Sequence, residues 1–267
     1  MERYNVDFKK KFGQNFLKNI SVVKRIVDVA DIKEKSLVIE VGPGGAIMTR
    51  ELAKRADNVL AYEIDEDLKD ELYSRLEGLN NVEVLFKDFL TSDLCGDVSK
   101  YDYENLYFVS NVPYYITTPI ILKLIDSKLK FKRIVMMVQK EVGDRFTTGP
   151  GNKSYGSISV LLQYYFDARK EFLVSRNEFV PVPNVDSVII SFKEKENKYE
   201  LLDSQFFEKL VRDSFQQKRK TIKNNLVCYD LEKVNMVLQR SGYDLSVRAE
   251  ALPVNVFVDL ANELCTK

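Results

Sequence analysis

Five short apolar runs, each followed by a segment with helical spacing or by a polar turn, constrain the fold of this chain most. They are Leu37-Val38-Ile39-Glu40-Val41, Val59-Leu60-Ala61-Tyr62-Glu63-Ile64-Asp65, Val82–Phe86, Leu106–Val109 and Ile134–Val138. Runs this apolar suit strands covered on both faces, which is the environment of a parallel sheet. Helical segments stand before and between them. Ile20, Val22, Val23, Ile26, Val27 and Ala30 form one apolar stripe, and helices are predicted over Thr49–Ala56, Glu66–Glu77 and Thr118–Leu129. Strands alternating with helices predict an α/β fold, a parallel sheet with helices on both faces. Lys170–Val174 and Asp186–Phe192 read as an added pair of strands at the sheet edge. Lys193–Glu200 is charged and without an apolar period, so it reads as a linker. Three helices follow, over Ser204–Gln217, Leu231–Arg240 and Ser246–Leu264. The expected division is a sheet domain over 1–196, with an N-terminal arm at 1–18, and a small all-helical domain over 197–267.

Open parallel sheets bind ligands beyond the carboxyl ends of their strands, and polar residues collect there. After the first strand comes Glu40-Val41-Gly42-Pro43-Gly44-Gly45, whose glycines permit a sharp turn and close approach of a ligand to the backbone. A dinucleotide fingerprint fails because its third glycine position is Ile47, and no G-K-[ST] follows to make a phosphate loop. What remains is a cradle for a small cationic or zwitterionic ligand. Glu63 stands 21 residues after Gly42, a spacing that suits an acid accepting from both ribose hydroxyls of an adenosyl group. Asp88 ends the third strand and suits an adenine amine. Each carboxylate alone also fits a surface group or a helix cap. Their recurrence at successive strand ends favours a ligand site.

The fourth run ends in Asn111-Val112-Pro113-Tyr114-Tyr115. An Asn side chain and the Val112 carbonyl each accept one hydrogen bond from an exocyclic amine, and such acceptors favour a nitrogen able to attack. Pro113 lacks an N–H and pushes Val112 out of the helical region, which aims that carbonyl. A ring such as Tyr114 suits stacking against a base lifted out of its helix. The same residues also suit a plain strand ending in a proline turn, with ordinary core tyrosines.

The chain has 267 residues and no histidine, which excludes imidazole-based nucleophilic sites and His-ligated metals. Cys95, Cys228 and Cys265 are far apart, so neither a disulfide framework nor a metal site is expected. The longest uncharged run, Asn105–Leu122, is broken by Asn, Pro and Thr, so no membrane span is expected. No secretory signal is apparent either, and a cytoplasmic location is expected. Lys+Arg and Asp+Glu balance at 40 each. Two local basic clusters stand out: the N-terminal segment containing Lys9, Lys10 and Lys11, and Lys218-Arg219-Lys220 with Lys223. Basic runs are often only solvated faces. Two of them in a chain with a base-reading motif point to nucleic acid.

Four motifs now stand in order: Lys11-Phe12-Gly13-Gln14-Asn15-Phe16-Leu17, the Glu-x-Gly-Pro-Gly turn, Asn111-Val112-Pro113-Tyr114, and Phe179-Val180-Pro181-Val182-Pro183-Asn184-Val185-Asp186-Ser187. Together they resemble the small-subunit ribosomal RNA adenine dimethyltransferase family, the kasugamycin-sensitivity type, over nearly the whole chain. The resemblance implies a Rossmann-like methyltransferase sheet and S-adenosyl-L-methionine as methyl donor. It implies as substrate two adjacent adenosines in the 3′-terminal hairpin of small-subunit rRNA, each methylated twice on N6, within the small ribosomal subunit or its precursor. A monomer is expected, and action on DNA is not, since DNA adenine methyltransferases resemble Asp-Pro-Pro-Tyr or Asn-Pro-Pro-Tyr where this chain has Val112. By the same resemblance Asn15, Leu17, Gly42, Gly44, Glu63, Asp88 and Asn111 line the donor site, while Tyr114 and Phe179 sandwich the target base. Val112 and Pro113 belong to the reaction loop. Lys9, Lys10, Lys11, Lys218, Arg219, Lys220 and Lys223 are the expected RNA contacts. Gly45-Ala46 departs from the family pattern, in which a glycine commonly stands at the second position.

Two rival readings keep the fold and change the role. One is a large-subunit rRNA adenine dimethyltransferase that confers antibiotic resistance. Asp186 in Val-Asp-Ser and the Gln216–Lys220 stretch favour the small-subunit type over it. The other is a non-catalytic RNA-binding assembly or transcription factor, against which the intact Glu63, Asp88 and Asn111 speak.

Overall fold

The computed structural model of the chain describes residues 16–195 and 199–265. It resolves into two compact units, one running to Gly143 and including Arg169–Glu194, the other made of Asp144–Ala168 and the residues from Lys195 onward. The first unit contains strands β1 (Phe16–Leu17), β2 (Ser36–Val41), β3 (Asn58–Glu63), β4 (Val82–Phe86), β5 (Asn105–Asn111) and β6 (Phe131–Gln139). Alternating with them are helices α1 (Ile20–Ala30), α2 (Ile47–Ala53), α3 (Lys69–Leu76), α4 (Leu94–Val98) and α5 (Thr117–Asp126). Helix α6 (Lys140–Thr147) and helix α7 (Ser157–Tyr165) precede β7 (Phe166–Val174), β8 (Phe179–Val180) and β9 (Ser187–Glu194).

Seven strands form one sheet in the order β4-β3-β2-β5-β6-β9-β7, and β1 pairs with β8 in a separate two-stranded ladder. Strands β2 to β6 run parallel, and β9 joins β6 antiparallel. The five apolar runs are thus the five parallel strands, and the two later runs are the added edge pair. Alternate residues of a strand point to opposite faces. Val38, Tyr107, Val109, Val135, Met137 and Ile189 pack with Val23, Ile26 and Val27 of α1 and Leu52 of α2 in one core. Tyr62 of β3 and Phe108 of β5 meet the ring of Phe89.

Chain order reverses at β2, which has β3 on one side and β5 on the other. The β2–β5 ladder stops at Ile39↔Phe108. Beyond it Ser110, fully buried, bridges the gap with its hydroxyl, donating to the Val41 carbonyl at 2.6 Å and accepting from the Val41 N–H at 3.3 Å. Two strands that part at a switch point open the crevice where α/β sheets bind ligands.

The second unit is helical apart from the first residues of β7. It takes in α7, α8 (Ser204–Ser214), α9 (Ile222–Asn225), α10 (Leu231–Arg240) and α11 (Val254–Cys265). Asp203 and Asp230 cap α8 and α10 by accepting from the N–H groups of Phe206 and of Glu232 and Lys233. The expected single helix over Ser246–Leu264 is divided, because Pro253 holds Leu252 extended (φ −86°, ψ 130°) and α11 starts after it. The expected boundary at 196/197 also shifts. Asp144–Ala168 joins the helical unit, where Tyr164 of α7 stacks on Phe207 of α8 with ring centroids 4.9 Å apart. Among the described residues, no helix is long and apolar enough to cross a membrane.

Candidate active site

A cavity of about 300 Å³ opens beyond the carboxyl ends of β2, β3, β4 and β5, lined by the glycine turn after β2 and by Glu63, Asp88 and Asn111. The four strand-end signals read from the sequence therefore meet at one place. Gly42 (φ +73°) and Gly44 (φ +50°) both occupy the left-handed region that L side chains resist. Gly44 has a second reason to be glycine: a Cβ there would stand 2.6 Å from the ring of Phe16, which also lines the cavity. Ala46 adopts the left-handed region as well (φ 58°) and is fully buried, so this chain carries a methyl where glycine would be unstrained.

Glu63 is buried at the end of β3. One carboxylate oxygen accepts from the Gly44 N–H at 3.3 Å and the other from the Asp65 N–H at 3.0 Å. Burial pushes its pKa upward, and those backbone donors oppose the shift. Asp88 is half-buried and caps the turn after β4 by accepting from the Leu90 N–H at 2.8 Å.

The reaction loop continues β5. Val112 is buried, and no described residue donates a hydrogen bond to its carbonyl. Pro113 (φ −55°, ψ 132°) is extended, and a single 3-10 turn over Tyr114–Ile116 leads into α5. Leu17, Val112, Pro113, Tyr114 and the 62% exposed Tyr115 all line the cavity with Asn111.

Sequence reasoning passed over Glu40 as a site residue. It lies inside β2, is 1% exposed and faces the same cavity. Among the described residues its Oε2 has no hydrogen-bond partner, nor does the nearby Thr49 hydroxyl. Burial first, then the neighbouring Glu63 charge, raises its pKa to about 8. A glutamate in the middle of a buried apolar run is the signal that marks it.

Three expectations stand apart from the cavity. Phe179 is fully buried, pairs with Leu17 across the β1–β8 ladder and belongs to the hydrophobic core, so neither face of its ring is free for a base in this structure. Lys218, Arg219, Lys220 and Lys223 lie on the second unit, exposed around the turn between α8 and α9, with the Lys218 ammonium donating to the Lys153 carbonyl. Asn15, Lys9, Lys10 and Lys11 fall outside the described residues.

Comparison with known proteins agrees with this geometry. The family model described as ribosomal RNA adenine dimethylase matches residues 5–266. The chain belongs to the ribosomal RNA adenine dimethylase family. It is 43% identical to the ribosomal RNA small subunit methyltransferase A of Ligilactobacillus salivarius, covering 99% of this chain and 92% of that protein. It is equally similar, at 43%, to the protein of the same name from Bacillus mycoides, covering 94% of that relative. Among solved structures, a dimethyladenosine transferase from Plasmodium falciparum superposes with a TM-score of 0.75 at 27% identity, covering 92% of this chain and 95% of that one. The 23S rRNA methyltransferase ErmE superposes at 0.72 with 28% identity, covering 94% and 99%.

Proposed function

We propose that this chain transfers methyl groups from S-adenosyl-L-methionine to N6 of adenosines in small-subunit rRNA, at two adjacent adenosines of the 3′-terminal hairpin. The observation that carries this reading is the meeting of Glu40, Glu63, Asp88 and Asn111, from four parallel strands and the segments that follow them, in one cavity at the switch point. The donor's chemistry fits the residues present. A buried Glu40 carboxyl with an unpartnered oxygen, close to a buried Glu63, favours a cationic ligand. Glu63 suits ribose hydroxyls and Asp88 an adenine amine, while the Gly42–Gly45 turn lets the ligand lie against the backbone. When bound, the donor supplies an electrophilic methyl on a positively charged sulfur.

The chain's own residues then have little covalent work. The Asn111 side-chain oxygen and the Val112 carbonyl accept the two N–H bonds of the target amine. They stabilise the positive charge that grows on nitrogen as it attacks, because fixed dipoles in a partly dry site need no reorganisation. Tyr114 stacks against the extruded base and sets its distance to the methyl, an orientation effect. No residue is needed as a nucleophile, and the surplus proton leaves through water. Small-subunit rRNA is favoured as substrate because the curated relatives carrying that name are more similar to this chain than the 23S enzyme is.

The test is transfer of a labelled methyl group to undermethylated small subunits, large subunits and naked DNA, with the modified positions mapped. Label confined to two neighbouring adenosines of the small subunit is expected. Label in large subunits would move the reading to the ErmE type, and no label in any of the three would leave a binding protein.

A further inference from the structure

The segment Phe179–Ser187 was singled out by sequence, yet the proposed chemistry uses at most its first residue. Its last residue, Ser187, opens β9 and is fully buried. The Ser187 and Tyr114 hydroxyls share a hydrogen bond of 2.6 Å, across 73 residues of sequence. At the other end of the same residue, the buried Thr117 hydroxyl donates to the Tyr114 carbonyl at 3.1 Å. Tyr114 is thereby held at its backbone and at the tip of its ring, while its ring lines the cavity. A tyrosine ring turns about two side-chain torsions, and tethering the phenol oxygen fixes the first, which sets where the ring points, since the oxygen lies on the axis of the second. Ser187 itself is well anchored. It pairs with Gln139 at the end of the β6–β9 ladder, and the preceding Asp186 accepts from the Arg176 N–H at 3.0 Å and offers its carbonyl to the Lys140 N–H at 3.1 Å.

We propose that Ser187 is a positioning residue for methyl transfer, holding the Tyr114 ring in the place against which the target adenine stacks. The proposal rests on the stacking role given to Tyr114 above. A neutral hydrogen bond to a partly buried phenol is a modest tether, so its removal loosens the ring without displacing it. The donor pocket formed by Glu40, Glu63 and Asp88 contains no atom of Ser187. Transfer and donor binding are therefore expected to separate.

The experiment is a double-mutant cycle on the full chain with Ser187→Ala, Tyr114→Phe and both together. Single-turnover methyl transfer, affinity for S-adenosylhomocysteine and thermal midpoint are measured for each. Each single variant should slow transfer about three- to tenfold. The double variant should slow it no further, and affinity for S-adenosylhomocysteine should be unchanged throughout. Multiplicative losses, or a Ser187→Ala rate equal to wild type, would overturn the positioning role. Should Ser187→Ala fail to fold, Tyr114→Phe alone decides, because it removes only the phenol oxygen, and an unchanged rate refutes the tether. Tyr114→Ala separates the two layers. Near-normal transfer in that variant refutes the stacking role and the tether with it, whereas its loss beside a silent Ser187→Ala refutes the tether alone.

Discussion

Two buried carboxylates in the first unit, Asp97 and Glu40, show opposite solutions to the same problem. Asp97, on α4, is 5% exposed and Glu40 is 1% exposed, so both lose most of their hydration. Asp97 is surrounded by donors: the Lys87 ammonium at 2.6 Å, the Tyr62 hydroxyl at 3.0 Å and the Lys100 ammonium at 3.3 Å. Burial by itself would raise its pKa, but those three donors together outweigh burial and hold it below the ordinary value. Among the described residues Glu40 has no cation beside it and one partnerless oxygen, a second buried acid lies nearby, and its pKa rises to about 8. A buried charge without compensation costs several kcal/mol. Such a cost persists where the missing partner arrives from outside. Asp97 is satisfied within the structure, whereas Glu40 is the acid proposed to face the donor.

The contrast makes the two sites respond oppositely to pH. The Glu40 pKa lies higher in the folded chain than in the unfolded one, whose value is near 4.5. The folded protein then holds more protons between pH 4.5 and 8 and loses stability as pH rises through that window. The largest expected effect follows from Glu40→Gln, which should remove a donor-free stability loss of up to about 4–5 kcal/mol at pH 9. Denaturant titrations from pH 5 to 9 measure it, and an unchanged slope would erase the contrast. Asp97, with a lowered pKa, contributes stability above its unfolded value and loses it as pH falls.

Asn111→Ala comes next. It should slow methyl transfer by about 10²–10³ while leaving affinity for S-adenosylhomocysteine nearly intact, since one acceptor for the developing charge is lost. Wild-type turnover in single-turnover assays would refute its role. Asp97→Asn sharpens the other side. It should cost about 1–3 kcal/mol of stability with donor affinity unchanged, because Lys87 and Tyr62 lose a charged partner. A fall in donor affinity without a fall in stability would reverse the assignment. Smallest is neutralisation of Lys218, Arg219 and Lys220, exposed on the second unit. RNA binding should weaken, and the slope of log affinity against log salt should drop by about two to three. An unchanged slope leaves these cations as solvated surface.

Much of the fold and site was legible because it rests on local pattern. Each parallel strand is a contiguous apolar run, and its end is marked by glycine, acid or asparagine, so Glu63, Asp88 and Asn111 could be picked out by position alone. Ser110, Asp97 and Ser187 could not. Each is an ordinary polar residue by sequence, and its role depends on partners 69, 35 or 73 residues away. The burial of Phe179 by pairing with β1 was likewise not legible from the sequence, where the resemblance implied that it sandwiches the target base. Asp144–Ala168 follows the sheet in sequence, yet the aromatic contact between Tyr164 and Phe207 draws it into the helical unit.

The amino-acid sequence by itself determined the alternation of strands and helices, the α/β class, the cradle of glycines and the order of acids along the strand tips. Hydrophobic period and backbone freedom are properties of neighbouring residues, and they survive without knowledge of the rest. Tertiary structure alone decided which buried polar atoms find partners. That choice hangs on long-range packing, where Asp97 meets two lysines and Glu40 lies near a second acid.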